Sequence, residues 1–131
     1  MNGTTLYEMY DRFLVTNETD NYQLFLEGPA TGTLGDRMLH TGYTYGFDLS
    51  GMYFSTLDRD YDRWSRSNCA VGFGGGGGWW YNACHHAFVN GPWPPTEWYK
   101  PWFPTLPMYG TNVTGTLMMI KRHKVNIMKS A

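Results

Sequence analysis

Residues 54–62, Phe-Ser-Thr-Leu-Asp-Arg-Asp-Tyr-Asp, are the part of the sequence most informative about the fold. Three carboxylates occupy alternate positions in it, at Asp58, Asp60 and Asp62. On a flat strand they would share one face, about 6.6 Å apart, whereas calcium draws oxygen ligands to about 2.3–2.6 Å from one centre. Calcium binding therefore requires the segment to curl, which the polar residues 65–68 allow. The alternative is a solvated loop in which Arg59 and Arg63 neutralise the acids, and spacing alone leaves both open.

The two cysteines of the chain follow this stretch and enclose 14 residues, among them five consecutive glycines at 74–78. A Cys69–Cys84 disulfide would stabilise the fold by about 3 kcal/mol, by removing entropy from the unfolded chain. It would also order a glycine-rich loop that cannot order itself. Two free thiols or half of a metal site are the alternatives, but the chain has no Cys-x-x-Cys motif. The pattern therefore favours a disulfide.

The composition places the chain in a broad class. Its 131 residues suit one domain, and 42% hydrophobic with 18% aromatic content excludes extensive disorder. The net charge of −1 argues against a broad nucleic-acid or anionic-lipid surface. No apolar run reaches the roughly 18 residues that a membrane helix needs. The many aromatic, glycine and proline residues favour strands and loops over helices.

Local patterns predict few regular elements. Strands are expected where apolar and polar residues alternate or where short apolar or aromatic runs occur, at 5–15, 22–27, 52–55, 79–81 and 117–121. Residues 17–21 are expected to form the turn between the first two strands. A loop with a short helical turn near 36–39 is expected over 28–51, and 56–110 is expected to be largely irregular. A basic tail begins at residue 121.

Three N-x-S/T sequons are candidate glycosylation sites, at Asn2, Asn17 and Asn112. Together with an even number of cysteines they favour a secreted protein. Residues 1–16 include Glu8, Asp11 and Arg12 and contain no apolar segment typical of a signal peptide. We therefore interpret the chain as a piece of a longer secreted protein.

Several stretches together resemble the fibrinogen C-terminal domain family, whose pattern is F-S-T-x-D-x-D-N-D…N-C-A…G-G-W-W-Y-x-x-C-H…N-G. The matching stretches are residues 54–62, 68–71 (Asn-Cys-Ala-Val), 77–85 (Gly-Gly-Trp-Trp-Tyr-Asn-Ala-Cys-His) and 90–91 (Asn-Gly). Residues 10–25, 32–36 and 117–121 are similar to further segments of the family. The resemblance covers essentially the whole chain.

The resemblance implies an α+β fold, with a twisted, mainly antiparallel sheet and a large irregular loop region that binds calcium and ligand. Residues 1–131 would form a partial domain that lacks the N-terminal part of the family domain, with a basic tail over 121–131. Any oligomerising segment would then lie upstream. An unpaired strand at a sheet edge would be a liability for aggregation.

The resemblance also implies calcium as a cofactor. The family places its ion in the loop before the first cysteine of the pair, so Asp60 and Asp62 would be the carboxylate ligands. The backbone carbonyls of Trp64 and of Ser65 or Arg66 would complete the protein's share of the coordination. Such extracellular sites are weak, with Kd values around 10⁻⁴–10⁻³ M.

The lectin members of the family hold the acetyl group of N-acetylated sugars beside that loop. They supply the N–H donors through a cis peptide, which here corresponds to Ala83–Cys84 and presents the N–H groups of Cys84 and His85. His85 matches the pocket histidine of the family. Phe73 falls where these lectins often place tyrosine, and Tyr99 or Tyr109 would complete the aromatic wall.

We therefore expect a secreted, calcium-dependent, lectin-like module that binds acetylated glycans in innate-immune recognition. The alternatives are a protein-binding module of the extracellular-matrix or receptor-ligand type, which would use the same surface, and a truncated fragment that binds nothing. The sequence contains neither G-x-S-x-G nor H-E-x-x-H, so we expect no enzyme activity.

Overall fold

The computed structural model describes residues 3–42, 46–73, 75–92, 101–106 and 113–122. Their regular elements are two strands and two very short helices. Strand β1 spans Glu8–Val15, a 3₁₀ turn spans Glu18–Asp20, β2 spans Leu24–Gly32 and helix α1 spans Cys69–Gly72. Within the described residues, no helix is long and apolar enough to cross a membrane.

Strands β1 and β2 form an antiparallel hairpin in which Val15 pairs with Leu24 and Glu8 pairs with Gly32. The predicted turn at 17–21 is confirmed, because the Asn17 side chain caps the 3₁₀ turn. Residue 22 was expected in the second strand, but Tyr22 has a φ of 52°, so β2 begins only at Leu24.

The hairpin is also longer at its far end than the sequence predicts. Residues 28–32 were expected to be loop, and this prediction was wrong. The register shifts between Tyr10 and Arg12, and the chain then pairs Tyr10 with Ala30. Proline has no N–H, and a regular interior strand position would need one for its hydrogen bond. The irregular pairing therefore lets β2 continue past Pro29.

One face of the hairpin lies on the core and the other faces solvent. Leu24 and Leu26 are buried, and Tyr10, Phe13 and Val15 pack against the same cluster. The outer face carries an Arg12–Glu27 ion pair at 3.3 Å and the exposed cross-strand pair Leu14–Phe25. This alternation is typical of an antiparallel sheet with one solvated side.

Most of the core comes from the loops. Its buried members are Leu24, Leu26, Met38, Leu49, Cys69, Ala70, Trp79, Tyr81, Cys84, Ala87, Phe88 and Trp102. The indole N–H groups of two tryptophans hydrogen-bond these loops to backbone carbonyls. Trp80 Nε1 donates to the Tyr22 carbonyl at 2.8 Å, and Trp102 Nε1 donates to the Gly35 carbonyl at 2.7 Å. Large rings therefore supply both apolar area and the hydrogen bonds that position the chain.

Three predicted strands, at 52–55, 79–81 and 117–121, were wrong. The first two meet only in an isolated bridge between Ser55 and Trp79, because the chain turns at once when Thr56 N bonds the Arg59 carbonyl at 2.9 Å. Residues 117–121 are exposed and, within the described part of the chain, have no strand partner. A strand requires a partner as well as a suitable sequence. Of the basic tail, residues 121 and 122 are exposed, and 123–131 lie outside the described residues.

The chain forms a bend around the carboxylate of Asp36, where a helical turn was expected at 36–39. Its Oδ1 accepts the Tyr10 hydroxyl at 2.9 Å and the N–H groups of Met38 and Leu39, at 3.1 and 2.9 Å. Its Oδ2 accepts the N–H of His40 at 2.7 Å. Burial, followed by the hydrogen bond to Asp36, raises the pKa of Tyr10 well above its usual value of 10. One side chain thus joins the hairpin to the following loop.

Replacing Asp36 should therefore lower the stability of the fold much more than replacing its hydrogen-bond partner Tyr10. We expect Asp36→Ala to lower the free energy of unfolding by about 2–4 kcal/mol, because four donors lose their acceptor. Tyr10→Phe removes one of these bonds and should cost about 1 kcal/mol. Urea unfolding measures both, and equal losses in the two variants would contradict this role of Asp36.

The raised pKa of Tyr10 predicts a dependence of stability on alkaline pH. Above pH 10 the unfolded tyrosine loses its proton while the folded one keeps it, so this contribution to stability falls as pH rises. Phe cannot ionise, so the stability gap between the wild type and Tyr10→Phe should narrow above pH 10. Urea unfolding at pH 8 and pH 11 measures the gap, and an unchanged gap would refute the coupling.

Candidate functional site

The predicted Cys69–Cys84 disulfide is confirmed, with 5.6 Å between the two Cα atoms. Helix α1 begins at the first of these cysteines. Asn68 caps it, since its Oδ1 accepts the Ala70 N–H at 2.8 Å. The Nδ2 of Asn68 donates to the carbonyls of Thr56 and Leu57, at 3.1 and 3.3 Å. The start of the disulfide loop is therefore tied to the start of the acidic stretch.

The acidic stretch curls, as a calcium site would require. Asp62 accepts the N–H of Trp64 on Oδ1 at 2.8 Å and the N–H of Cys69 on Oδ2 at 2.7 Å. Asp60 Oδ1 accepts the N–H of Asp62 at 3.3 Å. The curl brings Asp60 and Asp62 together, whereas the Asp58 carboxylate accepts the Thr56 hydroxyl at 2.7 Å.

Among the described residues, no arginine forms an ion pair with Asp60 or Asp62. The Arg12–Glu27 contact is the only ion pair among the described residues, so neither Arg59 nor Arg63 pairs with Asp60 or Asp62. Partial burial raises the pKa of Asp62 to about 6, and Asp60 adds to this rise, while the backbone N–H bonds oppose it. Two adjacent carboxylates without a cation form an arrangement that a bound cation would stabilise.

The residues present fit calcium, provided that backbone oxygens take part. Within the described ranges, no three His, Cys, Asp or Glu side chains cluster closely enough to hold a metal ion by themselves. The Trp64 carbonyl accepts the Ser67 N–H over a long 3.4 Å, which leaves it a lone pair, and the adjacent Ser65 and Arg66 are exposed. Carboxylate and carbonyl oxygens of this kind are the ligands that calcium prefers.

Backbone hydrogen bonds from two other segments hold the turn before the second cysteine. The Ala83–Cys84 peptide bond is cis, as the family resemblance implies. The Asn82 carbonyl accepts the Arg63 N–H at 3.0 Å, and the Ala83 N–H donates to the Gly46 carbonyl at 2.8 Å. Gly46 has a φ of 81°, and a Cβ there would lie 3.2 Å from the Ala83 Cβ, so the close approach favours glycine.

An aromatic cluster surrounds His85. Its ring centroid lies 4.5 Å from that of Phe88 and 5.7 Å from that of Tyr81. Phe73 packs on Trp64, with 5.0 Å between ring centroids, next to the acidic stretch. Ala83, Cys84 and His85, the predicted ligand-binding residues around the second cysteine, lie together in one turn. The remaining predicted site residues, Tyr99, Tyr109, Asn2 and Asn112, lie outside the described residues.

Tyr81, Asn82 and Phe88 also belong to this site, although their residue types alone do not mark them as site residues. The Tyr81 hydroxyl donates to the Gly77 carbonyl and so anchors the glycine run. Burial, together with the charge of Asp62, raises the pKa of Tyr81. The Asn82 Nδ2 donates to the Asp48 carbonyl at 2.6 Å. Their position just before and after Cys84 was the available signal.

The geometry predicts a calcium-dependent melting temperature. At tenfold excess of ion over Kd, binding should add about 1.4 kcal/mol, which corresponds to a rise of about 5 °C in Tm. Asp60→Asn should abolish most of the rise, because it removes one carboxylate ligand. Differential scanning fluorimetry with millimolar calcium, and then with chelator, measures the effect.

Asp58→Asn is the matched control for this experiment. It removes an equal charge from the same stretch but leaves Asp60 and Asp62 in place, so its calcium response should match the wild type. A wild-type melt that millimolar calcium does not move would contradict the site. So would an equal loss of response in both variants.

Comparison with known proteins matches residues 1–102 to the family described as fibrinogen beta and gamma chains, C-terminal globular domain. The chain is 40% identical to fibroleukin of Bos taurus over 90 residues, which are 69% of this chain and 19% of fibroleukin. The fibrinogen-like globe domain of human ANGPTL6 is 38% identical with a TM-score of 0.56, and the match covers 67% of this chain and 34% of that domain.

A third similar protein is the lamprey fibrin D-dimer, whose structure was solved with the peptide ligand Gly-His-Arg-Pro-amide. It is 26% identical with a TM-score of 0.61, and the match covers 92% of this chain and 47% of the lamprey chain. The 131 residues thus span about a fifth of fibroleukin and less than half of either solved chain. The match over residues 1–102 is nevertheless most of the sequence, and the chain belongs to the family of fibrinogen C-terminal globular domains.

Proposed function

We propose that this chain is part of an extracellular recognition module that binds acetylated ligands, above all N-acetylated sugars, beside a calcium loop. The observation that carries the proposal is the uncharged, aromatic turn that the disulfide holds next to Asp60 and Asp62. None of the 14 residues between Cys69 and Cys84 is charged. Binding, rather than catalysis, is the chemistry that such a surface supports.

An acetyl group needs apolar contact for its methyl and a hydrogen-bond donor for its carbonyl oxygen. The half-buried ring of His85, which packs on Tyr81 and Phe88 in the core, would offer the apolar contact. Cys84 is 6% exposed, and its N–H donates to no acceptor within the described residues. Because buried N–H groups normally find a partner, this donor supports a ligand carbonyl at the turn.

Calcium would act on this turn indirectly. Asp62 accepts the N–H of Cys69, and the Arg63 N–H donates to the Asn82 carbonyl, so both ends of the disulfide loop contact the acidic stretch. An ion held by Asp60 and Asp62, with the carbonyls of Trp64 and of Ser65 or Arg66, would stabilise these contacts. We therefore expect ligand binding to weaken when calcium is removed.

Binding of a protein partner is the second candidate. The peptide in the lamprey structure carries an arginine, and a cationic ligand is best recognised by carboxylates. This chain offers no carboxylate between its cysteines, and Asp62, whose carboxylate contacts the N–H of Cys69, belongs to the acidic stretch. A neutral acetylated ligand therefore suits the site better than a cationic peptide.

Extracellular residence is part of the proposal. The disulfide and the three sequons are consistent with the secretory pathway. A single acetyl-binding turn would bind weakly. Useful avidity in innate-immune recognition would then come from several copies held together.

Tryptophan fluorescence tests the proposal directly. Trp79 lies 5.9 Å, ring to ring, from Phe88, which contacts His85, so a ligand at the turn should change its emission. Titration with N-acetylglucosamine in calcium should give a saturable change that chelator abolishes. Glucosamine, which lacks the acetyl group, should give little change.

Two variants separate the pocket from the rest of the fold. His85→Ala should weaken the response to N-acetylglucosamine at least tenfold, whereas His40→Ala, at an exposed position elsewhere, should leave it unchanged. A flat titration on a chain that still melts cooperatively would overturn the acetyl proposal. A saturable response to Gly-His-Arg-Pro-amide instead would favour the protein-binding alternative.

A further inference from the structure

The tip of the β1–β2 hairpin carries the one sequon that the structure describes in full, Asn17-Glu18-Thr19. All three residues are exposed. The Thr19 hydroxyl donates to Asn17 Oδ1 at 2.6 Å, and the Asp20 N–H donates to the same oxygen at 3.3 Å. The amide oxygen is therefore occupied, while the amide nitrogen makes no hydrogen bond within the described part of the chain.

We propose that Asn17 carries an N-linked glycan. The donor would be an oligosaccharide linked to a lipid pyrophosphate. Asn17 Nδ2 would form a bond to C1 of the first N-acetylglucosamine, the C1–O bond to the pyrophosphate would break, and one amide proton would be released. The structure presents what this transfer needs, namely an exposed turn, an available Nδ2 and a threonine hydroxyl already placed on the reacting amide.

Tyr22 is the surface that the first sugar would cover. Its N–H donates to the Asn17 carbonyl at 3.1 Å, which holds the two residues side by side. Its side chain is 45% exposed, although tyrosine is a large, partly apolar residue. Its φ of 52° is costly for a bulky residue, and Trp80 Nε1 fixes this conformation by donating to the Tyr22 carbonyl. An exposed ring on a fixed backbone, beside an acceptor asparagine, suits stacking against a sugar face.

Site occupancy is tested by secretion of the full chain from eukaryotic cells, behind a cleavable secretion signal. A background of Asn2→Gln and Asn112→Gln leaves Asn17 as the only sequon. Peptide-N-glycosidase should then shift the mobility of the protein, and the peptide mass should assign the sugar to Asn17. Thr19→Ala should abolish the shift, whereas Thr19→Ser, which keeps the hydroxyl, should preserve most of it.

An unmodified Asn17 in the chain recovered from the secretory pathway, whether secreted or retained, would overturn the proposal. A shift that survives Thr19→Ala would do the same. Neither result depends on what the acetyl pocket binds, so this proposal and the proposed function can fail separately.

Thermal melts test the role of Tyr22. Enzymatic removal of the glycan should lower the Tm by about 2–4 °C, the size of shift expected from one aromatic contact in a chain of this length. In Tyr22→Thr the glycan should make no such difference. Tyr53→Thr, which changes another exposed tyrosine, is the matched control and should keep the full difference. If removal of the glycan lowered the Tm of Tyr22→Thr as much as that of the wild type, the sugar–Tyr22 contact would be refuted.

Discussion

The carboxylate of Asp62 joins the two halves of the candidate site. One of its oxygens accepts the Trp64 N–H, which curls the acidic stretch, and the other accepts the Cys69 N–H at the start of the disulfide loop. Burial gives this carboxylate a raised pKa of about 6, and Asp60 adds a second negative charge beside it. The same group thus organises the fold and lies beside a second carboxylate, an arrangement that a cation would stabilise. Structure and calcium binding would then be coupled rather than separate properties.

Loops, rather than strands, position the site, because rings with polar tips replace the hydrogen-bond ladders of a sheet. Trp80, Trp102 and Tyr81 each bury an aromatic body and donate to a backbone carbonyl. The disulfide removes unfolded-chain entropy from the segment that has the most glycine. A glycine-rich loop can therefore hold a defined turn at Ala83–Cys84 although, among its described residues, only the short helix α1 is regular.

The composition of the disulfide loop favours some classes of ligand over others. It is neutral and aromatic, and Asp62, which contacts it at Cys69, belongs with Asp60 to the acidic stretch that suits an ion. A neutral acetyl group asks only for apolar contact and an N–H donor, whereas a cationic peptide asks for further carboxylates. The hairpin tip at Asn17 adds a separate property, because modification there uses an exposed turn and none of the acetyl-pocket residues.

Features that depend on residues close together in the chain could be predicted from the sequence. The motif around residues 54–85 identified the family, the disulfide and the cis peptide, and the turn residues at 17–21 placed the hairpin. Only the tertiary structure decided what depends on a partner distant in sequence. The apolar runs at 52–55, 79–81 and 117–121 look like strands, but a strand needs a neighbouring strand. The described chain gives the first two only one bridge, between Ser55 and Trp79, and gives the third no partner. The contacts of His85 with Tyr81 and Phe88 were likewise hidden, because they depend on how irregular loops pack.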